Sequence, residues 1–263
     1  MAMVKPETIP DSGIEQHFIR FLLEDSYFGT DDLTGCVDNG SKGSIGLMSK
    51  KEVTGTEAIV SELAYYARET VEKYFRFAFQ YARNRSLPLI SIDKANVMAR
   101  YKFWRDIATR IGEKEFPEVE LRHQLIDSAN ALLFTPAELH GVVACGNEHG
   151  DILSDGAAAA MGSMGMMCSS AINPENGMAM FESGAGTAPT LAGQYKANPI
   201  GRILTAEMML RYIGAVRGAD AISSVVKTVL MNGWRTADIA SQDDVSERIL
   251  GTHHMGQKIL KYL

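Results

Sequence analysis

Between residues 18 and 182 the chain alternates short apolar runs with stretches of helical periodicity, and this alternation limits the fold more than any other feature. Residues 18–23, 87–92, 139–145 and 178–182 read as strands, and 119–126 alternates like one. Val71, Tyr74, Phe75, Ala78, Phe79 and Ala82 recur at helical spacing. Glu69 and Glu72 stand early in that stretch and Arg83 and Arg85 late, as the helix dipole favours. A second helix is expected over about 97–112, and the small-residue segment 156–171 reads as another. Three more follow at 200–214, 219–232 and 252–263. Strands alternating with helices predict an α/β architecture whose sheet is covered on both faces. In such folds ligands collect at the carboxyl ends of the strands.

Composition agrees with an ordinary globular core: 46% of the 263 residues are hydrophobic and 22% are charged. A net charge of -6 without a basic stripe argues against a nucleic-acid partner. Three cysteines, Cys36, Cys145 and Cys168, lack metal spacing and cannot all pair, which favours a reducing, cytoplasmic compartment. The uncharged run 156–174 is broken by glycines, serines and an asparagine, so it reads as a buried helix and no membrane span is expected. The first seven residues lack the apolar core of a signal peptide. Residues 30–56, rich in Gly, Ser, Asp, Asn and Lys, read as an excursion, a flap or a hairpin arm.

The densest candidate site is residues 146–155, Gly-Asn-Glu-His-Gly-Asp-Ile-Leu-Ser-Asp. Asp151 and Asp155 are four apart, so on a helix their carboxylates share one face. Two convergent carboxylates suit a hard cation such as Mg²⁺ or Mn²⁺. The same spacing is also what an N-cap and a first-turn acid would show. Tyr27, Lys94, Asp127 and Asp151 all fall just past expected strand ends, which gathers them at one edge of the sheet. His149 reads as a solvent-facing loop residue, Cys145 as a buried strand residue, and Met161, Met164, Met166 and Met167 as core or interface filler. The loop 184–199 is glycine-rich and opens a helix near Ile200, where backbone amides could hold a phosphate. No Gly-x-Gly-x-x-Gly follows a strand.

Several stretches, in one order, resemble the isocitrate/isopropylmalate dehydrogenase family. They are Ser91-Ile92-Asp93-Lys94-Ala95-Asn96-Val97, the Asp127 strand end, Gly150-Asp151-Ile152-Leu153-Ser154-Asp155, Ala192-Gly193-Gln194 through Ala197-Asn198-Pro199, and Ile203 to Arg211. The resemblance implies an isopropylmalate-dehydrogenase-like α/β fold lacking the N-terminal part of the cofactor domain. It implies a small dimerisation and substrate domain with an arm over 1–161, and the remaining cofactor domain over 162–263. The implied reaction is metal-dependent, NAD- or NADP-linked oxidative decarboxylation of a small 2-hydroxy dicarboxylic acid. Asp151 and Asp155 would be metal ligands on one subunit of a homodimer, and Asp127 would reach the same ion from the other. Lys94, also from the partner, would take the substrate hydroxyl proton, and Tyr27 would return one after decarboxylation. Asn96 would lie beside the nicotinamide, and Gly186, Thr187, Ala188, Pro189 and Asn198 would form the adenosine-binding loop.

Departures accompany the resemblance. Most of the family's carboxylate-binding arginines are missing, and Leu23 falls where one is expected. Ala185 replaces a usual histidine, and Thr190 stands where an acid or a lysine would select NAD or NADP. A homologue that keeps the metal site and dimer but has lost nicotinamide binding, or that has been repurposed, is therefore the alternative expectation.

Overall fold

The computed structural model describes residues 14–25, 48–54, 57–160, 162–241 and 248–263. The chain forms two compact units, Met1–Ala157 and Ala158–Leu263.

In the first unit, β1 (Gln16–Arg20) is followed by an antiparallel hairpin, β2 (Met48–Thr54) and β3 (Glu57–Leu63); β2 lies within the expected arm 30–56 and β3 lies beyond it. Then come α1 (Arg68–Arg85), β4 (Leu89–Asp93), α2 (Ala99–Glu115), β5 (Leu121–Leu125), α3 (Ile126–Leu132), β6 (Gly141–Cys145) and α4 (Asn147–Ala160). The sheet has the order β1-β6-β4-β5 with every pair parallel, so all four carboxyl ends lie on one edge.

Its two faces bury different side chains of the same strands. Leu89, Val142 and Ala144 join Val71, Phe75, Phe79, Tyr101, Trp104 and Ile107 from α1 and α2 in one core. Ile90, Ile92, Val143 and Cys145 join Ala129, Leu133, Leu153 and Ala157 from α3 and α4 in the other. Covered on both sides, β6 is an unbroken apolar run, whereas β4 is interrupted by Ser91, which accepts from the Trp104 indole, and ends at Asp93. The six apolar positions of the first expected helix are the six that α1 buries. Its N-terminus is closed from a distance by the buried Glu24 carboxylate, which accepts from Ala67 N at 2.7 Å and Thr70 Oγ1 at 2.6 Å.

The second unit contains β7 (Cys168–Ile172) and β8 (Ala179–Ser183), paired antiparallel, then α5 (Ile200–Tyr212) and α6 (Val216–Met231). A short parallel pair, β9 (Trp234–Arg235) and β10 (Arg248–Ile249), precedes α7 (Thr252–Tyr262). Ile200, Val225, Val226, Val229, Met255 and Ile259 form its core. Gly201 lies where a Cβ would meet the Gly165 and Met167 carbonyl oxygens at 2.7 and 2.8 Å, so only glycine lets α5 begin there.

The expected helix over 156–171 is corrected. α4 begins at Asn147, directly after β6, and stops at Ala160. Gly162 has φ 126°, which no helix continues through, and 168–172 instead supplies β7. Small residues favour a helix without marking its ends, and pairing with β8 decided the remainder. β5 is half-buried along its whole length as an edge strand, with α3 following at once. Among the described residues no helix is long and apolar enough to cross a membrane.

Candidate active site

The common carboxyl edge of the parallel sheet gathers the charged groups of the first unit. Asp151 and Asp155 both lie inside α4, on successive turns and half-buried. The helix begins four residues before Asp151, which removes the N-cap explanation of the pair. The only acid in its first turn is Glu148.

Arg20, the last residue of β1, lies against this helix. Its Nε donates to Asn147 Oδ1 at 2.6 Å, and its Nη1 pairs with Asp151 Oδ1. Gly150 makes room for the arginine stem, since a Cβ there would lie 3.0 Å from Arg20 Cγ. Burial, then the neighbouring Asp151 charge, pushes the Asp155 carboxyl up from its ordinary range, and Arg20 opposes this.

Arg20 was missed in the sequence because the first strand was read to Leu23. It ends at Arg20, and that shorter register brings a guanidinium to the strand end where an arginine was expected three residues later.

Lys94 follows β4 directly, and its Nζ donates to Asp127 Oδ1 at 2.8 Å. Asp127 occupies the first turn of α3, largely exposed. The Lys94 hydrogen bond first, then backbone amides at the helix start, hold its carboxyl below the usual range.

Beneath Lys94 the fully buried Asp93 carboxylate takes both nitrogens of an Arg105 fork, at 2.7 and 2.8 Å, and the Ala95 amide at 2.9 Å. That support pins the turn from which Lys94 and exposed Asn96 project. Asn96, Ala95, Lys102, Arg105, Asp106 and Leu125 line a shallow cleft of 330 Å³.

His149 is not in a solvent-facing loop. It sits in the first turn of α4 with its ring stacked on Tyr101 at 4.7 Å, and burial pulls its pKa down. The buried Asp25 carboxylate accepts from Tyr66 OH at 2.8 Å, next to Gly146, whose place in the β6–α4 turn leaves no room for a Cβ. Tyr27 lies outside the described residues.

The donor set fits a hard divalent cation. Two carboxylates one turn apart are half-buried, and burial, then the neighbouring charge, disfavours ionisation of Asp155, which a cation would offset. Among the described residues no group of three or more His, Cys, Asp and Glu could hold an ion.

In the second unit the loop candidates Gly186, Thr187, Ala188 and Pro189 are exposed, and nothing lies within 4 Å of a Cβ placed on Gly186 or Gly193. An open backbone of this kind can be approached closely by a nucleotide. Asn198 is half-buried, with Oδ1 accepting from Ile200 N at 2.9 Å and Nδ2 donating to Asp238 at 3.0 Å.

Fold and site together define an α/β protein with a two-carboxylate charged edge on a parallel sheet. The isocitrate/isopropylmalate dehydrogenase family matches residues 2–259, and the chain belongs to that family. It is 39% identical over 254 residues to 3-isopropylmalate dehydrogenase 2 of Dechloromonas aromatica, covering 96% of this chain and 64% of that protein. It is 41% identical over 213 residues to 3-isopropylmalate dehydrogenase of Geobacter sulfurreducens, covering 81% of this chain and 58% of that one. The structure of isocitrate dehydrogenase from Methylococcus capsulatus superposes with a TM-score of 0.80 at 26% identity, over 97% of this chain and 68% of that one. The chain thus spans about two thirds or less of the length of these relatives.

Proposed function

We propose that this chain serves a metal-dependent, NAD- or NADP-linked oxidative decarboxylation of a small 2-hydroxy dicarboxylic acid, in a site shared between two copies. The observation that carries it is the pairing at one sheet edge. Asp151 and Asp155 face out with Arg20, while Lys94 and Asp127 project as a separate ion pair, and no third acid completes either set among the described residues. Two partial sets on one surface call for a second copy, and a two-fold axis would bring the one set onto the other.

A divalent cation on Asp151, Asp155 and the partner's Asp127 would supply the positive charge that favours loss of the substrate hydroxyl proton, and a bound nicotinamide would accept the hydride. With Asp127 drawn to the cation, Lys94 gives up its own proton to solvent and then, as the neutral amine, takes the proton of the substrate hydroxyl. Arg20 exchanges its bonds to Asn147 and Asp151 for a substrate carboxylate, in place of the arginine absent at position 23. Tyr27 returns a proton to the carbon that has lost CO₂, and Asn96 orients the nicotinamide. Gly186, Thr187, Ala188, Pro189 and Asn198 hold the adenosine half. Domains divided near 161, and a reducing cytoplasm suited to free Cys145 and Cys168, complete the reading.

Subunit mixing tests it. Lys94→Ala and Asp155→Asn are each expected to abolish NAD⁺ or NADP⁺ reduction with 3-isopropylmalate or isocitrate and Mg²⁺. Equal mixing after reversible dissociation should restore about a quarter of wild-type turnover, since half the dimers then hold one intact shared site. Activity that stays at zero on mixing would mean that lysine and acids serve one chain, and an active Lys94→Ala would remove the base.

A further inference from the structure

The loop between β8 and α5 concentrates unusual backbone. Gly186, Ala188, Gly193 and Tyr195 all take positive φ, at 63°, 41°, 75° and 55°. Glycine adopts this region freely, whereas a bulky aromatic residue does so only when its surroundings impose it. Around Tyr195 the imposition is visible. The Thr252 amide donates to its carbonyl at 2.8 Å, and Thr252 Oγ1 donates to the Ala197 carbonyl at 2.5 Å. Gly251 lacks the Cβ that would lie 2.7 Å from the Tyr195 oxygen. The start of α7 thus clamps residues 195–197 and holds Tyr195 in a conformation where glycine would be the unstrained choice.

The clamped side chain does not contribute to the core. Tyr195 is 76% exposed, and it is the loop's only aromatic residue. Residues 186–197 are exposed throughout, so a flat ligand has access to the ring along this loop. A rigid backbone presenting an exposed, otherwise idle ring is the arrangement of a stacking platform, which binds the face of a planar heterocycle.

We propose that Tyr195 stacks on the adenine ring of the nucleotide taken up by this loop, and that its strained backbone is retained to aim the ring. The inference rests on the nucleotide reading above and adds to it the residue that recognises the base.

Binding is measured by calorimetry with AMP, with ribose 5-phosphate as the probe that lacks a base, and thermal unfolding is followed alongside. Tyr195→Gly relieves the strain and is expected to raise the melting temperature by about 3 °C while weakening AMP roughly tenfold. Tyr195→Asn tolerates the same backbone without freeing it as glycine does, and should lose AMP to the same extent. Tyr195→Phe should keep wild-type AMP affinity. None of the three should change ribose 5-phosphate binding.

AMP binding that survives Tyr195→Asn would overturn the proposal and leave the nucleotide reading standing. Loss with Tyr195→Gly but not with Tyr195→Asn would assign the effect to loop flexibility and also overturn it. A wild-type chain that binds neither AMP nor NAD⁺ would remove both.

Discussion

The charged edge of the parallel sheet and the loop between β8 and α5 hold their groups by opposite means. At the sheet edge each exposed functional group stands on a buried one. Lys94 projects from a turn pinned by Asp93 and Arg105, and the start of α4 rests on Tyr66, Tyr101 and Asp25. In the loop the residues are exposed one after another, and geometry comes from backbone conformation and a clamp at Thr252. A charge placed in a fixed direction needs counter-charges and packing below it, because an unpaired ion would swing toward water. A segment that offers backbone and a neutral ring needs only its dihedral angles fixed. The first region should therefore fail through packing, the second through residue type at left-handed positions.

The largest expected effect attacks the packing directly. Trp104 is fully buried against Phe21, Tyr66, Tyr74 and Phe75, with its indole nitrogen donating to Ser91 at 3.1 Å. Trp104→Ala should lower unfolding free energy by about 3–5 kcal/mol, read from denaturant midpoints. Protection of the loop amides in hydrogen exchange should barely change; equal loss of protection in both regions would show that the two are not held by different means.

Gly146→Ala comes next. Its new Cβ would press on the Tyr66 hydroxyl and lie 2.6 Å from Asp25 Oδ2, costing about 1–3 kcal/mol. Unchanged stability would mean the β6–α4 turn relaxes more easily than its surroundings suggest.

Acid should act mainly on the sheet unit. Burial pulls His123 and His149 below the ordinary value of 6.5. Groups that protonate more readily when unfolded contribute full stability above that value and lose it as the pH falls towards their folded pKa. Unfolding midpoints should therefore drop between pH 7 and 5.5, with a shallower slope in His123→Gln. Equal slopes would exclude His123 as a source.

The smallest effect sharpens the other side. Thr252→Val keeps the amide bond to Tyr195 but loses the hydroxyl bond to Ala197, at a cost of about 0.5–1.5 kcal/mol. Faster amide exchange confined to residues 195–198 is the expected signature, and uniform exchange would show that the clamp does not act there.

Much of the sheet unit was legible because its periodicities are strong. The six apolar residues of α1 and the unbroken run of β6 each reflect one dominant environment, and β4 is buried at every position although Ser91 and Asp93 interrupt its apolar pattern. β7 was read as helix because small residues suit both states, and its strand pairing with β8 involves residues up to fifteen positions away. Lys94, Asp127 and Asp151 could be named as candidates from their place after strands, and Asp155 from its four-residue spacing to Asp151. Arg20 could not, because its role depends on where β1 stops, and pairing with β6 fixes that. Nor did the sequence disclose that His149 stacks on Tyr101, a residue 48 positions earlier.

By itself, the sequence determined the alternation of strand and helix, the two-sided burial of the central strands and the family. Local periodicity and residue order carry that information. Tertiary structure alone decided which polar groups share a surface, which arginine meets Asp151, and which tyrosine is held in a left-handed turn. Those depend on contacts between residues far apart in the chain, whose energies are settled only when the buried charges find partners and the backbone closes around them.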